Sequence, residues 1–392
     1  MDDAGRLDDA GRLDVVYVGF LLGHGGDAMQ MLALADGVQR RGARAGIIVP
    51  ANEHTSTFRE RCNEVGVSCQ GSKLLLADMH GSRQHLPSLI RLLRGVDEPI
   101  VHFHTGNSLL PRSVMIALEL MRFRRTFVTL QSPYETIEHS STRARFWSFT
   151  GQRRFQAVVS PSDHGTAFQR RCGMPADLTV TIRNSVDVTK VRGGDASEPL
   201  ATLGVDAGSP IILFSSRIDR QKRPVDAVRA FARVATEHPT ALLVFLGSGD
   251  EEPVVRAAIS EASLGDRVRL VGYQTNIADW LAAATVWILP TERENFSVAV
   301  LEALAAGIPV LSTPCRGNDE VLVDGQNALL FPIGDVGAAA SALDRLLRDK
   351  GLRGRLAMEA RATADRFRVE VMVERYLELY RGHPEAPEAL HS

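Results

Sequence analysis

Two doubly wound α/β domains are what this sequence predicts, on three observations. Short apolar runs alternate with longer amphipathic stretches, the series occurs twice, and a segment rich in Gly, Ser, Asp and Pro separates the two occurrences. Such alternation implies parallel sheets covered by helices. The length agrees, since 392 residues exceed one ordinary core and divide into two domains of roughly 180 each.

Taken in chain order, residues 1–13 repeat the hexamer DDAGRL, carry little apolar surface and are expected as a disordered tail. The first domain, 14–188, holds the runs VVYVGFLL, AGIIVP, IVHFH, TFVTLQ and AVVSPS, with a helix predicted from Ala28 to Arg41. Residues 189–209 lack helical or strand period and read as the connection between domains. The second domain, 210–366, starts at PIILFSS, followed by a helix from Pro224 to Val234. ALLVFLG, VRLVG, VWILP, a helix from Ser297 to Ala306, and PVLST complete it. A last helix, 367–382, is expected to cross back to the first domain, and 383–392 form a polar tail. In doubly wound sheets ligands bind beyond the carboxyl ends of the strands, at the switch in strand order. A cleft faced by the two domains is therefore the expected active site.

Composition narrows the function. A net charge of −2 with both signs scattered argues against a duplex nucleic acid partner and favours small-molecule chemistry. Cys62, Cys69, Cys172 and Cys315 are widely spread, with no metal-type spacing, as suits a reducing cytoplasm. No apolar run approaches the roughly 20 residues that span a bilayer, and the amino terminus lacks a signal-peptide core, so a soluble cytoplasmic protein is expected.

Three segments carry candidate chemistry. Gly23-His24-Gly25-Gly26-Asp27-Ala28 follows the first strand and fits G-x-G-x-x-A, whose glycines admit phosphate oxygens to backbone N–H groups. A dinucleotide site also wants an acidic residue closing the second strand, where this chain has Pro50 and Ala51, with Glu53 nearest. A tight turn without ligand is the plainer reading. FSSRIDRQKRP places Arg217 and Lys222 five residues apart at a strand end, where Arg can fork onto a phosphate and Lys can act as a point charge. Ordinary surface charge is the alternative.

The third segment is Glu294-Asn295-Phe296-Ser297-Val298-Ala299-Val300-Leu301-Glu302, between VWILP and an apolar helix. N–H groups of Phe296, Ser297 and Val298 at the helix start offer a diphosphate hydrogen bonds and a favourable dipole. Glu294 and Glu302 flank that start, and carboxylates accept hydrogen bonds from ribose and sugar hydroxyls. The alternative makes both solvated charges. Against it, Glu302 lies in the apolar run VAVLEALAAG, where a buried carboxylate without a partner is costly. His102 and His104 have metal-compatible strand spacing but no third ligand nearby, and are read as core or cleft histidines.

These residues resemble the retaining glycosyltransferases of GT-B architecture that carry a Glu-x7-Glu motif. The likeness covers nearly the whole chain and is strongest from Ile212 to Asp335. There it includes the R-x4-K pair, LLVFLGSGDEEP at Leu242 to Pro253, VRLVGY, and the run from Ser312 to Gly325. The resemblance implies that Arg217 and Lys222 neutralise a donor diphosphate, with backbone at Asn295, Phe296, Ser297 and Val298 completing the cradle. Glu294 would hold the transferred sugar and Glu302 the ribose. Gly25 and Gly26 would approach the donor phosphate, and the segment ending at Tyr273 would meet the nucleobase. Where the family usually has a histidine after TFVTL this chain has Gln131, and Ser297 stands where it mostly has glycine; Ser can cap the helix.

Expected, then, is a hexosyltransferase moving a hexose or amino-hexose from a nucleotide-diphosphate sugar, UDP favoured over GDP, to a hydroxyl. The acceptor would be a small molecule such as a cyclitol, sugar or natural-product aglycone, with configuration retained. It is expected near His104, Gln131, Tyr134 and Glu135. No Asp-x-Asp occurs, so no metal cofactor is expected, with cationic side chains and helix dipoles in its place. Met121 to Arg125 and Arg143 to Phe149 mix basic and apolar groups; helices covering the sheet are favoured over membrane contact. An NAD(P)-dependent oxidoreductase, or a nucleotide-sugar epimerase or hydrolase on the same fold, is the alternative.

Overall fold

The computed structural model describes residues 15–20, 25–52, 55–72, 100–106, 125–132 and 153–382. The chain divides into two units, Met1–Asn184 with Val369–Ser392, and Ser185–Arg368.

The first unit holds the strands β1 (Val15–Phe20), β2 (Ala45–Pro50), β3 (Ser68–Ser72), β4 (Ile100–Thr105), β5 (Thr126–Leu130), β6 (Ala157–Ser160) and β7 (Thr179–Thr181). They pair in parallel in the order β3-β2-β1-β4-β5-β6-β7. Every residue of β1, β2, β4, β5 and β6 is buried. That follows from their largely apolar runs, since parallel strands are covered on both faces. The helices α1 (Gly26–Arg40), α2 (Ser56–Glu64) and α3 (Asp163–Arg171) come from the same unit. The switch in strand order falls between β1 and β4.

The second unit opens with two short helices, α4 (Val188–Arg192) and α5 (Ser197–Leu203). Its sheet contains β8 (Ile211–Ser215), β9 (Leu242–Leu246), β10 (Val268–Gly272), β11 (Val286–Leu289), β12 (Val310–Ser312) and β13 (Ala328–Leu330), in the parallel order β10-β9-β8-β11-β12-β13. Around it run α6 (Pro224–Val234), α7 (Glu252–Glu261), α8 (Ile277–Ala283), α9 (Val298–Ala306), α10 (Val336–Arg348) and α11 (Lys350–Asp365). Here the order switches between β8 and β11.

The last helix, α12 (Val369–Arg381), belongs to the first unit and packs on α1. Its buried residues Met372, Val373, Tyr376, Leu379 and Tyr380 follow a helical stripe, each such side chain contributing about 1.5–3 kcal/mol on burial. The approach is close: a Cβ on Gly37 would lie 2.3 Å from Val373 Cγ2.

Several boundaries differ from expectation. Residues 189–209 are not a bare connection, because Asp187 caps α4 through the Lys190 N–H at 2.9 Å and both helices lie inside the second unit. Gly194 serves packing rather than flexibility: a Cβ on it would meet Ala278 O at 2.2 Å. The unit boundaries fall at Asn184/Ser185 and Arg368/Val369 instead of 188 and 366. Three strands escaped the reading, namely β3 and β7 at the edges of the first sheet and β13 at an edge of the second. Their sequences SCQGS, TVT and ALL lack a long apolar run, as an edge requires less burial. Both tails, Gly23, His24, Glu53, Tyr134, Glu135, residues 121–124 and 143–149 lie outside the described residues.

Candidate active site

The chemistry-bearing loops of the second unit leave the carboxyl ends of neighbouring β8 and β11, at the switch in strand order where such sheets bind ligands. After β8, residues 216–218 run against the turn after β9, with Ser216 N–H donating to Leu246 O and Ile218 N–H to Ser248 O. Only glycine fits that turn. A Cβ at Gly247, whose φ is +124°, would sit 2.2 Å from Ser216 O, and one at Gly249 2.3 Å from Ile218 O.

The loop then makes a short 3₁₀ turn, Arg220–Lys222, capped by Asp219, whose carboxylate accepts the Lys222 N–H at 3.1 Å. This turn aims Lys222 at the loop after β11. Lys222 Nζ donates to Glu294 Oε1 at 2.5 Å, and both side chains are more than nine-tenths buried. Two of the residues singled out in the sequence, each expected to meet a different part of a donor, are thereby joined. At such burial, deleting one charge costs about 3–5 kcal/mol, because the other is left uncompensated.

Arg217 differs from the expected cleft residue. Its side chain is 71% exposed and bridges to Asp219 Oδ2 at 3.1 Å. Asp219 therefore holds both cations, Lys222 through backbone and Arg217 through side chain.

Glu294 is fixed from a second direction. Its N–H donates to Arg316 O at 3.0 Å, and Gly317 crosses directly over it. With φ at +88°, a Cβ on Gly317 would lie 2.5 Å from Asn295 O and 2.8 Å from Glu294 O. Beneath, Thr313 Oγ1 donates to Thr291 O at 2.6 Å, tying the ends of β12 and β11. Buried Cys315 has its thiol pushed up to about 12 by burial and then by the charge of Glu294, so it stays protonated.

Past Glu294, buried Asn295 and Phe296 lead into α9, and Phe296 packs edge-on to Phe367. Ser297 caps the helix by accepting the Val300 N–H at 3.4 Å, as its residue type suggested. Val298 opens the helix, whose first N–H groups lack intrahelical acceptors. Glu302 sits on its second turn but is half-buried, not enclosed. The desolvation reasoning applied to it from sequence fails, because α9 leaves that position partly open to water. Tyr273 follows Gly272 at the end of β10 and is 45% exposed.

In the first unit, Gly25 caps α1 beyond β1 in ordinary extended backbone, beside Gly26. Asp27 already occupies that helix start: its Oδ1 accepts the Ala28 N–H at 2.9 Å. A carboxylate there satisfies the dipole that a phosphate would use. Gln131 ends β5, buried, with its N–H on Thr105 O at 2.9 Å.

His104 is interior. It shares a sheet face with Tyr17, His102 and Thr129, and neither ring nitrogen has a hydrogen-bond partner. Burial holds its pKa down at about 3. His102 lies 4.3 Å away between ring centroids and bonds Tyr380 OH at 2.5 Å and Thr129 Oγ1 at 2.9 Å. His102 thus belongs to the seat of α12, and His104 packs beside it. Among the described residues no three His, Cys, Asp or Glu side chains gather to hold a metal ion, and no helix is long and apolar enough to cross a membrane.

Against this geometry, a model of the family Glycosyl transferases group 1 matches residues 198–363, within the second unit. That unit is a group 1 glycosyl transferase domain. N-acetyl-alpha-D-glucosaminyl L-malate synthase of Bacillus anthracis is 30% identical over 201 residues, 51% of this chain and 52% of that protein. D-inositol 3-phosphate glycosyltransferase of Frankia alni is 33% identical over 226 residues, 55% of each. The chain thus spans about half the length of the curated relatives it matches. Across 95% of the chain and 100% of the other, the fold is that of Anabaena HepE, solved with UDP and glucose, at a TM-score of 0.80 and 18% identity. The two sheets are accordingly the Rossmann-like pair of the GT-B fold. The glycosyl transferase domain holds Arg217, Lys222, Glu294 and Glu302, with Asp219, Arg223, Glu292 and Gly317 around them. Asp219, Arg223 and Gly317 stood in quoted segments without a role of their own, and Glu292 carries no local signal beyond its charge.

Proposed function

We propose that the chain is a retaining glycosyltransferase that takes a hexose or amino-hexose from a nucleotide-diphosphate sugar, UDP in preference to GDP. The acceptor is a hydroxyl of a small molecule. The observation that carries this reading is the buried Lys222–Glu294 pair at the β8/β11 switch, beside the amino terminus of α9. The solved structures of similar fold that contain UDP with glucose, or UDP-glucose, favour the same donor class.

In this reading Lys222 and the α9 N–H groups meet the diphosphate, and exposed Arg217 folds onto its outer oxygens. Glu294 accepts hydrogen bonds from the transferred sugar, and Glu302 from the ribose. Charge building on the leaving diphosphate is stabilised by fixed cations and dipoles, so no metal is required. The acceptor hydroxyl attacks from the face the diphosphate leaves, which retains configuration.

A panel of UDP- and GDP-sugars, scored by nucleotide release with and without acceptors and with EDTA present, tests this. Release with a UDP-sugar, unaffected by EDTA, and an anomer matching the donor's support it. No release with any donor, or an inverted anomer, contradicts it.

A further inference from the structure

Three consecutive residues after β8 grip three consecutive residues after β11. Gln221 Nε2 donates to Arg293 O at 2.7 Å, Lys222 Nζ to Glu294 Oε1 at 2.5 Å, and Arg223 Nη1 to Glu292 Oε1 at 2.8 Å. The Glu292 N–H returns to Gln221 O at 2.9 Å. The two loops are thereby locked in one register across the sheet switch, with the Lys222–Glu294 pair in the middle.

Arg223 holds this register at a conformational cost. It sits at φ +50°, ψ +51°, a left-handed conformation that residues with a Cβ avoid and glycine adopts freely. Pro224 follows, and a residue before proline favours extended backbone instead. A side chain kept where glycine would be more comfortable has to supply something in return. Here its Nε donates to buried Asp226 Oδ2 at 2.6 Å while Nη1 reaches Glu292, so one planar guanidinium joins the start of α6 to the loop after β11.

We infer that Arg223, through Glu292 and Asp226, is a positioning residue that holds Lys222 against Glu294 and so sets the distance between the diphosphate cation and the sugar-binding carboxylate. Its consequence for turnover rests on the donor reading above. Its effect on Lys222 does not.

The chain has only four lysines, Lys73, Lys190, Lys222 and Lys350, so each can be followed separately. Reductive methylation with formaldehyde and cyanoborohydride, read by mass spectrometry, should modify buried Lys222 at least about tenfold more slowly than exposed Lys190 and Lys350. Arg223→Gly relieves the backbone but leaves Asp226 unpaired, and should raise Lys222 methylation about tenfold and weaken UDP binding by a similar factor. Glu292→Gln, which cuts the other end, should act in the same direction and give little further effect when combined with Arg223→Gly. Arg223→Lys, which keeps charge but loses the fork, should fall between.

Lys222 equally protected in Arg223→Gly and Glu292→Gln, with UDP affinity unchanged, overturns the inference and leaves the donor reading standing. If wild type binds no nucleoside diphosphate while Lys222 protection still drops in both variants, the donor reading fails and the positioning role stands. Should Arg223→Gly not fold, Glu292→Gln decides alone.

Discussion

Acidification from pH 7 to pH 5 should selectively weaken the first unit, through His102 and His104. Both imidazoles are fully enclosed, and His104 has no hydrogen-bond partner at either nitrogen. Burial brings His104 down to about 3; burial and then the neighbouring His104 hold His102 well below the ordinary imidazole range. In the unfolded chain each titrates near 6.5. Between those values the unfolded chain binds more protons than the native one, so stability rises with pH. The contribution is complete above about pH 6.5 and is lost as pH falls toward 3. At pH 5 the loss is about 2 kcal/mol for His104, and His102 acts in the same direction. That is a large share of the roughly 5–15 kcal/mol that stabilises a domain. Tyr17, Tyr376 and Tyr380, packed against the same imidazoles, have pKa values raised by burial and stay neutral throughout. The assay is hydrogen exchange of peptides from β1, β4 and β5 across a urea series at both pH values, corrected for the intrinsic rates. The first unit should open at lower urea at pH 5, and His104→Leu should reduce the difference. An unchanged midpoint, or a His104→Leu variant as acid-sensitive as wild type, would refute the assignment.

Other consequences are more local. Gly317→Ala combines a left-handed backbone with a Cβ 2.5 Å from Asn295 O, so Glu294 must shift. It should cost about 2–4 kcal/mol and at least tenfold in nucleotide release, measured by calorimetry and a coupled assay. Tyr380→Phe leaves His102 Nδ1 without its partner and should lower unfolding free energy by about 1–3 kcal/mol in urea titration. Gly37→Ala would drive a methyl to 2.3 Å from Val373 and should release α12 to proteolysis, with the second unit's melting unchanged. Exhaustive chelation should leave nucleotide release unaltered, measured before and after dialysis against EDTA.

How much of this was legible in the sequence depended on what each feature requires. Strands such as AGIIVP and VWILP announce themselves, because a parallel strand buried on both faces is mostly apolar. Edge strands such as SCQGS have no such obligation and leave no comparable mark. The glycines near Gly194 looked like a flexible connection, since composition does not distinguish freedom from tight packing. At the site, residue types and spacing pointed to Lys222 and Glu294 separately. Their contact depends on β8 and β11 being sheet neighbours though 72 residues apart in sequence, a long-range fact. The burial of His104 was hidden for a related reason: strand alternation gives its face, but not that this face is covered.

Calorimetric titration of UDP into wild type, Lys222→Ala and Glu294→Gln, beside turnover with a UDP-sugar, tests the donor site most directly. Lys222→Ala should weaken UDP binding and abolish release. Glu294→Gln should keep UDP binding within about threefold while lowering sugar transfer by at least about a hundredfold. Equal losses of binding and transfer in Glu294→Gln, or undiminished UDP binding in Lys222→Ala, would contradict the account.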